Sequence, residues 1–302
     1  MLAIIAPGQG SQTPGMLNSW IADPQLKERL ISWSDAIGLD LVHLGTEADA
    51  DEIKDTANAQ PLIVATSLLG AHALGIKNFA VTSGHSVGEL AAAALSGAIS
   101  EADALRIVRA RGIEMAKAAA TSPSGMSAVL GGDRAEVLAA IAALNLVAAN
   151  DNGAGQIVAA GDLKALASLN ENPPTGARVR ALAVAGAFHT QYMQPAVEPL
   201  ASLASTIATR PVSIQVISNK DGQVVTDGSE ILNRIVNQIA NPVRWDLCME
   251  TLKSLGVTGV IELPPAGTLV GLLKRAASEI ETFALKSADD LDAAREFAGR
   301  HA

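Results

Sequence analysis

The chain has 302 residues, of which 49% are apolar and 18% charged. That length suits about two domains, and that composition excludes wholesale disorder. Twenty-two Lys and Arg against 31 Asp and Glu give a net charge of −9, which argues against a protein whose main task is to coat nucleic acid. The single Cys248 excludes an intrachain disulfide framework and a multi-cysteine metal site. The five histidines show no zinc-binding spacing, and a reducing, cytoplasmic setting is the simplest expectation.

The apolar run Leu2–Ala6 predicts a buried strand, ended by Pro7-Gly8-Gln9-Gly10-Ser11-Gln12. No basic region precedes it, so a secretory leader is not expected. A helix is predicted over 25–37 through Leu26, Leu30, Ile31 and Trp33, and a second after Pro61 through Leu62, Ile63, Leu68 and Leu69. Residues 56–76 lack formal charge, but Asn58, Gln60, Pro61 and His72 make them too polar for a membrane span. A short strand over 79–82 leads into Gly84-His85-Ser86-Val87-Gly88 and an Ala-rich helix over 89–95. Ser100 and Asp103 have capping-box spacing, and the helix they open carries a stripe of Ala104, Val108, Arg111 and Met115.

After residues 121–125 the pattern changes: strands near 126–130, 156–160 and 178–184 alternate with helices near 134–144 and 162–169. This marks a small α+β subdomain at 122–187, inserted into a larger α/β unit. That unit resumes with a helix over 195–208, a strand over 212–217, helices after Gly228, a strand over 257–263 and an apolar-basic helix after Pro264-Pro265-Ala266-Gly267.

A Gly-x-Ser-x-Gly sequence between a strand and a helix is the context of a nucleophile elbow: the small flanking residues permit a tight turn that exposes Ser86. The alternative is a structural glycine turn. A nucleophilic serine needs a base. His85 is adjacent in sequence, but its ring need not face the hydroxyl. His189, after the inserted subdomain, can return to the cleft, or serve as a hydrogen-bonded histidine at a domain joint. Arg111 is conspicuous on an apolar stripe, because burying its charge calls for a partner. That partner is either an internal acid or a substrate carboxylate gripped by the planar fork of the guanidinium.

Five segments occur in order along nearly the whole chain: Gly8-Gln9-Gly10-Ser11-Gln12, Gly84-His85-Ser86-Val87-Gly88-Glu89, Arg111-Gly112 with Met115, Phe188-His189, and Asn241-Pro242-Val243-Arg244-Trp245. Together they resemble the malonyl-CoA:acyl-carrier-protein transacylase family, the acyltransferases of fatty-acid synthesis. The resemblance implies a serine-hydrolase-like α/β catalytic domain formed by 1–121 and 188–302, with 122–187 as a ferredoxin-like subdomain. It implies Ser86 as nucleophile, His189 as proton carrier, and a backbone carbonyl at Gln238 that orients the imidazole and would tolerate many changes of the Gln238 side chain. It implies an oxyanion hole from the backbone N–H groups of Gln9 and Val87. Arg111 matches the arginine that clamps the malonyl carboxylate, with Met115, Phe188 and Gln60 as further substrate-binding residues; capping or satisfying a buried turn is the other reading of Gln60.

The implied reaction is ping-pong transfer through malonyl-Ser86 to the phosphopantetheine thiol of acyl carrier protein. No metal or resident cofactor is required: CoA is the substrate's carrier, and phosphopantetheine belongs to the partner. An acidic carrier protein would meet a local basic patch drawn from Arg178, Arg180, Lys274 and Arg275. Nucleic acid and membrane are not expected partners. The malonyltransferase component of a malonate decarboxylase or a polyketide-like system, and a serine thioesterase or hydrolase, are the alternatives.

Overall fold

The N-terminal apolar run becomes β1 (Leu2–Ala6), buried at every position, as befits a strand covered on both faces of a parallel sheet. The computed structural model describes residues 1–302. Helices α1 (Pro24–Ile37) and α2 (Leu41–Thr46) open on Asp23 and Asp40, whose carboxylates accept from the backbone N–H groups of Gln25 and His43. Helix α3 (Thr56–Leu74) begins ahead of Pro61 rather than after it. Proline has no N–H for the carbonyl one turn back. Arg109 supplies the missing donor, its Nη1 lying 2.9 Å from Ala57 O, and the helix runs on.

Strand β2 (Val81–Gly84), helix α4 (Gly88–Leu95) and helix α5 (Glu101–Ala119) follow. At the start of α5 half of the expected capping box forms. Ser100 Oγ accepts from Asp103 N at 3.1 Å, but the Asp103 carboxylate takes the Ser100 hydroxyl at 2.7 Å. The chain then forms β3 (Ser124–Gly131), α6 (Arg134–Ala143), β4 (Val147–Asp151), β5 (Gln156–Asp162), α7 (Leu163–Glu171) and β6 (Ala177–Ala181). It continues through α8 (Gln194–Ala204), β7 (Gln215–Ile217), β8 (Val224–Val225), α9 (Gly228–Gln238), β9 (Val243–Arg244) and α10 (Trp245–Ser254). It ends with β10 (Gly259–Glu262), α11 (Thr268–Ala276), β11 (Glu281–Ala284) and α12 (Leu291–His301).

Six strands form one sheet in the order β11-β10-β1-β2-β7-β8. It is parallel apart from β8, which runs antiparallel to β7. Successive residues of β1 point to opposite faces. Leu2, Ile4 and Ala6 join the core beneath α3, α4 and α5, while Ala3 and Ile5 join the core beneath α10 and α11. This is an α/β fold with helices on both faces of its main sheet. The second sheet has the order β6-β3-β5-β4-β9; its β3 to β6 strands pair antiparallel, and Val129, Ile157, Val137 and Leu166 share a separate core.

Strand β9 belongs in sequence to the first unit but pairs parallel with β4 at Asn150–Val243 and Asp151–Arg244. At the same seam Arg134 binds Asp151 at 2.7 Å and Arg244 binds Asp246 at 2.7 Å. The seam fixes the loop after β4 against the elbow that follows β2, where Asn152 Oδ1 lies 2.8 Å from His85 Nε2.

Candidate active site

The carboxyl ends of parallel strands are where α/β sheets present their chemistry, and β2 ends there in the turn that carries Ser86. The turn is tight: a Cβ at Gly84 would overlap the Gly88 backbone, and one at Gly88 would overlap Ala6 O. Ser86 itself has φ 53°, a left-handed conformation costly for a residue with a side chain. Asn219, directly beyond β7, holds it there. Its Oδ1 accepts from Ser86 N at 2.8 Å and its Nδ2 donates to Gly84 O at 2.8 Å. No sequence motif points to Asn219; only the strand order brings residue 219 beside residue 86.

His189 also has positive φ, 62°, and its backbone N–H donates to Ile239 O at 3.1 Å. Ser86 Oγ and His189 Nε2 are 2.8 Å apart, and His189 Nδ1 lies 2.8 Å from Gln238 O. A carbonyl only accepts, so Nδ1 carries the proton and the lone pair of Nε2 faces the serine. Burial, followed by the Arg111 cation, lowers the His189 pKa to about 3. The imidazole is therefore neutral at ordinary pH. His85 is turned away from the serine, bonded to Asn152 and set edge-on to Trp245.

Arg111 is 1% exposed, and its three hydrogen-bond partners are all neutral. Nη1 donates to Gln60 Oε1 at 2.7 Å; Nη2 donates to Gln238 Oε1 at 3.0 Å and approaches Ser86 Oγ at 3.4 Å. Its Nε is buried without an acceptor. The internal acid that would neutralise it directly is not among these partners. The carboxyl that acts on it is Glu89, beyond Gln238, whose charge partly offsets the burial that brings Arg111 down to about 10. Burial pushes Glu89 up to about 7.

The carbonyl of Gln238 faces His189 Nδ1, and its side chain adds contacts of its own. Its side chain is buried and bonded on every side: Nε2 donates to Glu89 Oε2 at 2.6 Å and lies 3.2 Å from both Ser86 O and Asn219 Oδ1, while Oε1 serves Arg111. A substitution there would leave the carbonyl in place but break four side-chain contacts.

Ser86 and His189 open into a cleft of about 260 Å³ whose walls include Gln9, Gln60, Met115, Met126 and Phe188. Leu182, the residue after β6, and Leu272 on α11 also line it. Gln60 Nε2 donates to Gln9 Oε1 at 3.4 Å and approaches Met115 Sδ at 3.5 Å; a lining role and the satisfaction of buried polar groups thus coincide in one side chain. The backbone N–H groups of Gln9 and Val87 have no acceptor within the protein, so both are free to bind a ligand oxygen. Arg178, Arg180, Lys274 and Arg275 are exposed, the first two on β6 and the others on α11. No group of three His, Cys, Asp or Glu side chains is arranged to hold a metal ion, and no helix is long and apolar enough to cross a membrane.

Residues 4–295 match the family model of the acyl transferase domain. The chain is 51% identical over 297 residues to the malonyl CoA-acyl carrier protein transacylase of Mycobacterium bovis, covering 97% of this chain and 98% of that protein. It is 33% identical over 304 residues to the Escherichia coli protein of the same name, covering 97% and 98%. The crystal structure of MCAT from Mycobacterium tuberculosis superposes with a TM-score of 0.95 at 51% identity, over 98% of this chain and 99% of that one. A structure of a type II PKS acyl-carrier protein in complex with its malonyl-transacylase gives 0.92 at 29% identity, over 98% and 99%. Family model, whole-length relatives and fold agree: the chain belongs to the acyl transferases, in the malonyl-CoA:acyl-carrier-protein transacylase family.

Proposed function

We propose that malonyl transfer from malonyl-CoA to acyl carrier protein runs through Ser86 and His189, with Arg111 holding the malonyl carboxylate. The observation that carries this reading is one oxygen with two neighbours: Ser86 Oγ lies 2.8 Å from His189 Nε2 and 3.4 Å from Arg111 Nη2. The first neighbour takes a proton, and the second sets a cation beside the position the acyl group will occupy.

In the first half-reaction Oγ attacks the thioester carbonyl as its proton passes to Nε2. The Gln9 and Val87 N–H groups receive the tetrahedral oxyanion, a contribution of about 3 to 4 kcal/mol per donor in a preorganised site. Collapse breaks the C–S bond, His189 returns the proton to the departing CoA sulfur, and malonyl-Ser86 remains. In the second half-reaction His189 takes the proton of the phosphopantetheine thiol, whose sulfur attacks the ester, and collapse regenerates Ser86. The Gln238 carbonyl keeps the imidazole in the required tautomer throughout. Met115 and Phe188 wall the acyl site, with Gln60 between Arg111 and the cleft.

The carrier is proposed to meet a basic rim. Arg178 and Arg180 precede Leu182, and Lys274 and Arg275 follow Leu272, both cleft-lining residues, and all four basic side chains are exposed; this supports local attraction despite the net charge of −9. The division into 1–121 with 188–302, and 122–187, is supported by the two sheets and their separate cores, and the order β6-β3-β5-β4 with its two helices supports a ferredoxin-like reading of the smaller unit. A reducing, cytoplasmic setting is supported by the one free thiol, Cys248.

Intact-mass measurement tests the assignment. Malonyl-CoA alone should add one malonyl group to the wild-type chain, the phosphopantetheinylated carrier should remove it, and Ser86→Ala should acquire none. An unchanged adduct on Ser86→Ala refutes the nucleophile, and rapid loss of malonyl to water without carrier supports the hydrolase alternative.

A further inference from the structure

Arg111 is held by carboxamides, and a carboxamide can face either way round. Gln238 presents its oxygen to Nη2 of Arg111 at 3.0 Å, which is productive; turned over, it would present an NH₂ to a guanidinium and repel it. What decides the orientation lies on its other side. Glu89, the residue after Gly88 at the start of α4, is buried. Its Oε1 accepts from Asn219 N at 2.6 Å and its Oε2 accepts from Gln238 Nε2 at 2.6 Å. Above about pH 7, to which burial raises its pKa, the Glu89 carboxyl is ionised and only accepts. At 2.6 Å it is the nearest of three acceptors around Nε2, with Ser86 O and Asn219 Oδ1 each at 3.2 Å, that direct the Gln238 NH₂ away from Arg111 and its oxygen toward it.

We propose that Glu89 is a positioning residue for malonyl selectivity: it fixes the Gln238 carboxamide, and through it the Arg111 guanidinium, at one orientation and at one carboxamide's remove from a counter-charge. The inference rests on the reading of Arg111 as the carboxylate clamp. Its physical content is that Glu89 lies close enough to offset the Arg111 charge but does not occupy the fork that the substrate must fill. Asn219 ties the same carboxyl to the elbow, since its backbone donates to Glu89 while its side chain holds Ser86 N and Gly84 O. Nucleophile and clamp thus share one anchor.

Glu89→Gln tests the idea with almost no change of shape. To keep accepting from Asn219 N, the new carboxamide must point its NH₂ at Gln238; that sets NH₂ against NH₂ and either drives the Gln238 oxygen away from Arg111 or pushes the carboxamide off its place. With kcat and KM measured at pH 8 for malonyl-CoA and acetyl-CoA, the expected result is a loss of about 10- to 100-fold in kcat/KM for malonyl, mainly through KM, with acetyl transfer within about threefold of wild type. In an Arg111→Ala background Glu89→Gln should leave the malonyl-to-acetyl ratio where Arg111→Ala put it, because the two act through one contact.

Equal losses for the two acyl groups, with kcat falling and KM steady, would mean that Glu89 only supports the elbow, and the inference is overturned. If Arg111→Ala is selective and Glu89→Gln is not, the clamp stands and this inference alone falls. If Arg111→Ala is itself unselective, the clamp reading fails and takes the inference with it. Should Glu89→Gln not fold, Glu89→Met removes the acceptor without forcing Gln238 over; it is expected to give a smaller loss of the same selectivity, and an unchanged ratio in that variant overturns the inference.

Discussion

Truncating Arg111 to alanine separates the charge of the acyl group from every other part of the reaction. The guanidinium sits 3.4 Å from Ser86 Oγ and is 1% exposed, so a carboxylate bound to it as proposed would be shielded from water and held by charge-assisted hydrogen bonds. Removing one member of such a buried pair costs about 2 to 5 kcal/mol. At about 1.4 kcal/mol per factor of ten, kcat/KM for malonyl-CoA should fall roughly 30- to 3,000-fold. Acetyl-CoA carries no carboxylate to lose, and its kcat/KM should not fall by more than about threefold. The substitution also strips an acceptor's partner from Gln60 Oε1 and from Gln238 Oε1, each worth about 1 to 3 kcal/mol if left unsatisfied, so melting curves must show that the assay temperature lies below the transition. Arg111→Lys keeps the charge without the fork and should fall between the two. Steady-state kinetics with both thioesters on one carrier decide the matter: equal losses for malonyl and acetyl in a folded variant would refute the clamp.

Other consequences can be read off the same contacts. His189, lowered to about 3 by burial and by Arg111, should show no imidazole titration between about pH 5 and 8 by NMR. The stability gained by burying its neutral ring is present above its ordinary 6.5 and is lost as pH falls toward the folded value; Arg111→Ala should move that titration upward. Asn219→Ala leaves Ser86 N and Gly84 O without partners, and calorimetry should register a loss of about 2 to 4 kcal/mol in stability. Its kcat should drop about 100-fold for malonyl and acetyl alike, since a misplaced nucleophile serves neither. Arg109→Met uncovers the Ala57 carbonyl opposite Pro61 and should cost about 1 to 2 kcal/mol in chemical denaturation with kcat preserved. Arg178→Glu with Arg180→Glu should raise KM for the carrier, and flatten its salt dependence, while leaving KM for malonyl-CoA unchanged.

Elements with a local cause were legible in the chain. The elbow was, because Gly84 is required by the backbone of Gly88 and Glu89 a few residues on, although Gly88 itself answers to Ala6 and Pro7 at the end of the neighbouring strand. Helix α5 was, because its Ala104, Val108, Arg111 and Met115 stripe repeats with the helical period and all four are buried. The first turn of α3, ahead of Pro61, is not legible in the sequence, because what lets a helix pass through that proline is a donor from Arg109, on another helix. Strand β4 escaped notice: Val147–Asp151 is short, and its burial alternates with neither strand nor helix period. Strand β9, of two residues, exists only because β4 lies beside it.

In the site the division is the same. Ser86, His189 and Arg111 stand in recognisable segments, and the structure brings all three to one oxygen. Asn219 and the side chain of Gln238 stand in segments with no such mark, and their contacts reach 133 and 152 residues along the chain to Ser86. Nothing within a few residues of either signals a partner so distant; the strand order β1-β2-β7 makes the contact.

The same geometry explains why the histidine is oriented by a carbonyl and not by an acid. In a serine–histidine–aspartate triad a buried carboxylate holds the imidazole and stabilises the imidazolium that forms. Here the position opposite His189 Nδ1 belongs to the backbone of Gln238, whose side chain bonds Arg111 at 3.0 Å. A carboxylate placed there would lie within reach of the guanidinium, pair with it, and fill the fork that a malonyl carboxylate needs. Two demands therefore conflict in so small a space: an acid to help the base, and a free cation to choose the acyl group. The carbonyl resolves the conflict, since it fixes the tautomer with no charge for Arg111 to bind. Because burial and Arg111 both disfavour the imidazolium, a malonyl carboxylate bound at Arg111 as proposed would offset that cation, and the substrate's own negative charge would bring His189 closer to accepting the serine proton. An uncharged acyl group brings no such help. Selectivity for malonyl is then expected in the rate of acylation as well as in binding, and rapid-quench measurement of the first turnover at saturating thioester should show malonyl acylating Ser86 faster than acetyl. Equal single-turnover rates would confine the role of Arg111 to binding.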